Sequence, residues 1–280
     1  MSARKLLQWM GPVVLAVFVR ASASPEVQTV ESRRALSPVS IDGQADEWRL
    51  GGLTPDKKSG AELAFQNDGR NLYVLVVLKS PDSRKAFDAT GMAIFSRPGK
   101  AQKPGKGVLF LSSSVSADGY IAWQESRGAV LTDAEKAEIR KTASHAIFMA
   151  FAVDAKGSTF GPLRRQSDSD PPNFGVSESA AQATYEFRIP LASPEFVPGG
   201  IGAGPGATIR VLFEWGGVES KTLGAKAGRE AQASNSGYQS GTGRTWSQEF
   251  LDTFDAMSRP SSSNTKRYSL SVDVKLADSQ

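Results

Sequence analysis

The sequence predicts an all-β fold, an antiparallel β-sandwich of about nine strands with two short helices in loops. Three observations point there. The runs Leu72 to Leu78 and Ile147 to Val153 are apolar at every position, as strands covered on both faces are. The segments Tyr185 to Pro190, Ile209 to Trp215 and Tyr268 to Leu276 alternate apolar and polar residues, the period of strands with one wet face. Strand-like and helix-like stretches do not alternate along the chain, so a parallel sheet built from βαβ units is not expected.

Taken in order, Val39-Ser40-Ile41-Asp42-Gly43 reads as a brief strand entering a turn, with Trp48 after it to close one end of a core. Asn67-Asp68-Gly69-Arg70-Asn71 separates two apolar runs, and its Asp-Gly supplies the left-handed backbone of a tight hairpin. Met92 to Phe95 and Val108 to Ser112 are the next strands, joined by a basic loop from Arg97 to Lys106 that reads as a solvated hairpin tip. Tyr120 to Gln124 reads as another short strand, after an Asp118-Gly119 turn. Thr132-Asp133-Ala134-Glu135 is a capping box opening a helix to about Ser144. The strand from Ile147 is expected beside Leu72 to Leu78 in one sheet. Asp154 to Ala183 is a long polar loop, and Pro190, with no N–H to give a ladder, ends its strand. A second capping box at Thr245 to Gln248 opens a helix whose Trp246, Phe250, Phe254 and Met257 form one stripe.

The first 23 residues read as a signal peptide: Arg4 and Lys5, an apolar run from Leu6 to Val19, and a small-residue site at Ala21-Ser22-Ala23. That run is too short for a spanning helix, which needs about 20 residues. The organisation expected is therefore a signal peptide over 1–23, a polar leader over 24–38 and one sandwich domain over 39–280, placed in the bacterial periplasm or outside the cell. A retained anchor is the alternative. The chain carries 33 Lys and Arg against 29 Asp and Glu. Three of the cations, Arg4, Lys5 and Arg20, leave with the signal peptide, which takes away the basic excess that would attract nucleic acid. There is no cysteine, which removes thiol nucleophiles, thiolate metal sites and haem attachment through a C-x-x-C-H motif.

Three motifs in order resemble one family. Ile41-Asp42-Gly43 with Asp46-Glu47-Trp48, then Asn71-Leu72-Tyr73-Val74, then Glu186-Phe187-Arg188-Ile189-Pro190-Leu191 are similar to the carbohydrate-binding module family 9 and the wider DOMON-like superfamily. The resemblance spans about Ser40 to Trp215. It implies a β-sandwich that binds sugar through aromatic side chains, sometimes with calcium; some relatives in the superfamily bind haem. The matched residues Asp42, Gly43, Trp48, Tyr73 and Pro190 read as turn and core positions, so the resemblance leaves the ligand site unassigned.

Sugars stack their apolar faces on flat aromatic rings, while amides and carboxylates take the hydroxyls. Trp123, beside Gln124 and Glu125, and Tyr238, in a Ser/Gly-rich loop, are the rings freest to do this; Glu125 is the companion carboxylate. Trp215 and Trp246 sit on apolar stripes and read as core. Asp168, Asp170 and Asn173 set three oxygen side chains close together, as a calcium loop does, although Pro171 and Pro172 favour a plain acidic turn. No cofactor is expected beyond an optional calcium. His145 is the single histidine. It shares a strand side with Met149, but four residues of strand span roughly 13 Å, too far for both to ligate one iron. No G-x-S-x-G elbow accompanies it. The expected function is an exported, non-catalytic binding or accessory protein for a glycan or cell-surface polysaccharide. The alternatives are an envelope interaction protein without a sugar site and, less favoured, a haem-binding redox subunit.

Overall fold

In the computed structural model, which describes residues 27–36, 39–99, 105–126, 129–154, 159–163, 173–217 and 265–278, the apolar runs become the centres of two facing sheets. The strands are β1 (Gln28–Glu31), β2 (Arg33–Arg34), β3 (Thr54–Pro55), β4 (Ala61–Asn67), β5 (Asn71–Leu78), β6 (Met92–Pro98), β7 (Gly107–Ser116), β8 (Ser144–Val153), β9 (Thr159–Pro162), β10 (Phe174–Glu178), β11 (Ala183–Pro190), β12 (Thr208–Trp215) and β13 (Tyr268–Lys275). Three helices interrupt them: α1 (Pro81–Thr90), α2 (Ala117–Ser126) and α3 (Asp133–Arg140). A 3-10 helix covers Asp46–Gly51.

One sheet runs β1-β13-β12-β6-β7-β8-β9 and the other β10-β11-β5-β4-β2, with β3 also on β4. The alternation of the late strands has the sense the sequence predicts. Tyr185, Phe187 and Ile189 from β11, Ile209, Val211, Phe213 and Trp215 from β12, and Tyr268, Leu270, Val272 and Val274 from β13 all point between the sheets. They meet Leu63, Phe65, Leu72, Val74 and Val76 from β4 and β5. Trp215 lies in this core, stacked 5.1 Å from Tyr268, with its indole N–H donated to Ser83 Oγ.

The two doubly apolar strands are covered on both faces for different reasons, and they stand in different sheets. β5 is central in the second sheet, and its outer residues Tyr73, Leu75 and Val77 are buried under Val39, Ile41 and Trp48. β8 belongs to the first sheet, between β7 and β9. Its outer residues Ile147, Met149 and Phe151 pack with Tyr120 and Trp123 of α2. A doubly apolar pattern reports burial on both faces, so it does not say which strand lies alongside.

Several local expectations change. Tyr120 to Gln124 is helix, not strand: Ser116 Oγ accepts from the N–H of Gly119 as an N-cap, and Tyr120 and Gln124 lie one turn apart and share a hydrogen bond of 2.9 Å. Helix α1 was not foreseen, although Ser80-Pro81-Asp82 and the closing Gly91 (φ 68°) are ordinary start and stop signals. Residues 39–43 form an irregular strap instead of a strand. The polar leader contributes β1, parallel to β13, and β2, parallel to β4, so this stretch ties both sheets together. Between the two strands, Ser32 Oγ donates to Asn67 Oδ1 at 2.7 Å. The polar loop after Asp154 contains β9 and β10. The helix expected at 246–257, with its Trp246, lies outside the described residues.

The hairpin and the capping box are as expected. Gly69 has φ 85°, and Asp68 Oδ1 accepts the N–H groups of Arg70 and Asn71. In α3, Glu135 accepts from the Thr132 N–H at 2.7 Å while Thr132 Oγ1 accepts from the Glu135 N–H.

Candidate functional site

Helix α2 is ten residues long and lies on the outer face of the first sheet, against β7 and β8. Its buried side is Ile121, while Tyr120 and Trp123, three residues apart, lie side by side and are partly buried. Their rings stack with centroids 5.6 Å apart and planes 27° from parallel. His145, at the start of β8, stacks on Tyr120 at 4.6 Å and 20°. Trp123, Tyr120 and His145 thus form a three-ring ladder in which Tyr120 is the middle rung.

Polar groups border this ladder. Gln124 donates its amide to the Tyr120 hydroxyl. Glu125 pairs with Lys136 of α3 at 2.7 Å, and Arg140 of α3 pairs with Asp118 at the start of α2 at 2.8 Å. The four charged side chains are partly or largely exposed, so these pairs orient α3 and contribute little to stability. His145 Nε2 sits 2.9 Å from the carbonyl of Ile139 and donates to it, since a carbonyl only accepts. An aromatic surface with an amide at its rim can stack the apolar face of a sugar and hydrogen-bond its hydroxyls.

Of the residues the sequence singles out, Trp123 and Glu125 therefore fall on one helix. Tyr238 lies outside the described residues, as do Asp168 and Asp170. Asn173 donates its amide to the Leu163 carbonyl at 2.8 Å and accepts from an Arg188 guanidinium N–H, a bridge between the start of β10 and β11. Among the described residues, no group of three or more His, Asp or Glu side chains is placed to hold a metal ion. Tyr120 and His145 were not picked out as ring partners of Trp123. Helical spacing over 117–126 would have shown the first; the second is a contact between separate elements.

The opposite outer face holds a second pairing of tryptophan and glutamate. Glu186 of β11 is fully buried, and Trp48 is 2% exposed. The carboxylate accepts from the Trp48 indole N–H at 2.5 Å and from the backbone N–H groups of Asp42 at 2.9 Å and Gly43 at 2.7 Å. Gly43 (φ 81°) passes so close to β10 that a Cβ there would lie 2.2 Å from the Val176 carbonyl carbon. Burial pushes the Glu186 carboxyl up to about 7, against the three donors, and the nearby Glu47 adds to the rise. The strap from Val39 to Trp48 is fastened to the sheet here, so this second pairing is internal to the fold. It also joins two of the three family-like motifs in one hydrogen-bonded cluster.

No protein-family model matches this chain, and no curated protein does. Among solved structures, it is similar to a family 9 carbohydrate-binding module from Caldicellulosiruptor kristjanssonii in complex with cellotriose. That match has 12% identity over 90% of this chain and 95% of the module, with a TM-score of 0.36. The same module in complex with glucose matches at 12% identity over 90% and 97% of the two chains, with a TM-score of 0.30. A candidate carbohydrate-binding protein from Bacteroides uniformis matches at 10% identity over 68% and 84%, with a TM-score of 0.31. The fold is a β-sandwich of two facing sheets, as its own strand order and core display. Among the described residues, no helix is long and apolar enough to cross a membrane.

Proposed function

We propose that this protein is an exported, non-catalytic carbohydrate-binding protein that presents Trp123 to a glycan or cell-surface polysaccharide. The observation that carries the reading is the partly exposed Trp123 ring, stacked on Tyr120, whose hydroxyl accepts from Gln124. A pyranose ring laid on the indole removes poorly hydrated C–H surface from water, and Glu125 of the same helix is the carboxylate proposed to take a sugar hydroxyl. The signal-like first 23 residues support export, and the family-like motifs support a sandwich of the sugar-binding kind. Calcium enters only as an optional ligand, through Asp168, Asp170 and Asn173.

A glycan array probed with the chain, with and without calcium, tests this directly. Selective binding is expected, reduced about five- to 150-fold in Trp123→Ala, given the roughly 1–3 kcal/mol of stacking on an aromatic face. Because Trp123 also packs on the outer side of β8, a melting curve of the variant separates loss of binding from loss of fold. Silence across the array from the folded protein would discard sugar binding and leave an envelope interaction protein as the function to pursue.

A further inference from the structure

We propose that the cleft between α1 and the β10–β11 turn binds a primary ammonium group, held by the carboxylates of Asp88 and Glu178 over the hydroxyl of Tyr185. The site is separate from the Trp123 face, and it rests on the sugar-binding reading only for the source of the ammonium. Helix α1 closes one end of the space between the sheets, where its Ala86 and Phe87 join the core. Phe87 stacks on Tyr185 of β11 with ring centroids 4.0 Å apart. Tyr185 is 1% exposed, and its hydroxyl is buried without a hydrogen-bond partner. A phenol in that position ordinarily has one.

Two carboxylates stand beside this hydroxyl. Asp88 follows Phe87 on the helix. Glu178 is paired with Ala183, and since Ala183 and Tyr185 both face the core, Glu178 stands on the Tyr185 side of the sheet. Arg84, one turn before Asp88, is spaced to pair with it. It donates instead to the carbonyls of Ser179 and Ala180, at 3.0 and 3.4 Å, and so fastens the helix to the turn. Among the described residues Asp88 and Glu178 have no ion-pair partner, and both reach solvent.

Two negative charges therefore meet one positive charge. Partial burial and then the charge of Glu178 push the Asp88 carboxyl up, against Arg84. Burial and then both carboxylates push the Tyr185 hydroxyl up, with Arg84 again opposing. All four groups are thus within electrostatic reach of one another. A primary ammonium relieves the repulsion, and its three N–H donors match two carboxylates and one phenol oxygen. Calcium fits less well: it takes about six to eight oxygens, and among the described residues no third acidic side chain or histidine joins the pair. The Nε–H of Arg84 is also buried without a partner, and it can donate to a hydroxyl oxygen beside the ammonium. An amino sugar carries both groups on neighbouring carbons, whereas a simple diamine carries only the first. The ligand the cleft favours is therefore an amino sugar of a glycan.

The test is calorimetric titration of the full chain with a short glucosamine oligomer, its N-acetylated counterpart, the diamine putrescine and calcium chloride. The glucosamine oligomer is expected to bind, and Asp88→Asn and Glu178→Gln, both at exposed positions, each weaken it about tenfold or more. Tyr185→Phe weakens it about two- to fivefold without lowering the melting temperature, because the hydroxyl it removes has no partner to lose. The N-acetylated oligomer has no ammonium, so its binding by the Trp123 face is unchanged in Asp88→Asn and Glu178→Gln. Putrescine bound as tightly as the glucosamine oligomer supports the ammonium site and assigns it to a free amine. If a silent glycan array accompanies that result, the sugar reading alone fails. The proposal is overturned if neither amine probe binds, or if both carboxylate variants bind the glucosamine oligomer as the wild type does. It is also overturned if the N-acetylated oligomer loses as much affinity in those variants, or if calcium binds the wild type and not Asp88→Asn.

Discussion

The two outer faces of the sandwich each carry a tryptophan and a glutamate, and the two pairs have opposite fates. On the second sheet Trp48 and Glu186 are bonded to each other and sealed from water. On the first sheet Trp123 is only partly buried, and Glu125 turns to Lys136. Residue type does not separate the two cases. What separates them is the covering segment: a strap pinned by backbone N–H groups lies over Glu186, whereas the ten-residue helix α2 and its exposed neighbour α3 form the other surface. A buried carboxylate needs donors for both oxygens and therefore becomes part of the scaffold. An exposed one has water as a partner and remains available to a ligand.

That contrast can be broken by mutation. Glu186→Ala removes the acceptor of three donors at once and leaves buried N–H groups unsatisfied, at about 1–3 kcal/mol each. The expected loss is at least about 3 kcal/mol, read as a fall in the urea midpoint at unchanged slope. A loss below about 1 kcal/mol would place Glu186 outside the scaffold. Gly43→Ala comes next. It puts a side chain into a left-handed backbone and against the carbonyl carbon of Val176, for an expected cost of about 2–3 kcal/mol; Gly69→Ala, where a Cβ meets nothing within 4 Å, costs only the backbone strain, about 1 kcal/mol. Equal losses at the two glycines would show that the strap has room to shift.

The last of these effects is a dependence on pH. The Glu186 carboxyl titrates higher in the folded chain, at about 7, than in the unfolded one. The folded state therefore holds the extra proton between those two values, and the stability linked to it is complete below the usual carboxylate range and lost as pH rises through about 7. The melting temperature of the wild type should fall relative to that of Glu186→Gln between about pH 5 and pH 8, since the amide cannot titrate. Parallel curves for the two chains would mean that the three donors hold Glu186 ionised throughout.

The sequence could be read well where a residue's role depends on its neighbours in the chain. The Asp68-Gly69 hairpin, the Thr132–Glu135 capping box, and the inward faces of β11, β12 and β13 were all legible. Tyr120 to Gln124 was misread because five residues are too few to separate a helical stripe from a strand; the N-cap at Ser116 held the missing information. Seven residues from Gln28 to Arg34 look polar because their strands lie at sheet edges, where backbone pairing needs no apolar side chain. The polar alternation in Tyr185-Glu186-Phe187-Arg188 suggested a wet face, yet Glu186 and Arg188 are buried, because the strap and the Asn173 bridge meet them there.

By itself, then, the sequence determined the class of fold, the core-facing side of most strands, and one half of the candidate platform, Trp123 with Glu125. These follow from periodicity and from local hydrogen bonding, which act over a few residues. The tertiary structure alone decided that β5 and β8 lie in different sheets, that Glu186 reaches across more than a hundred residues of chain to Trp48, and that His145 stands behind Tyr120. Each of these joins segments distant along the chain, and whether a tryptophan becomes core or surface depends on which distant segment comes to cover it.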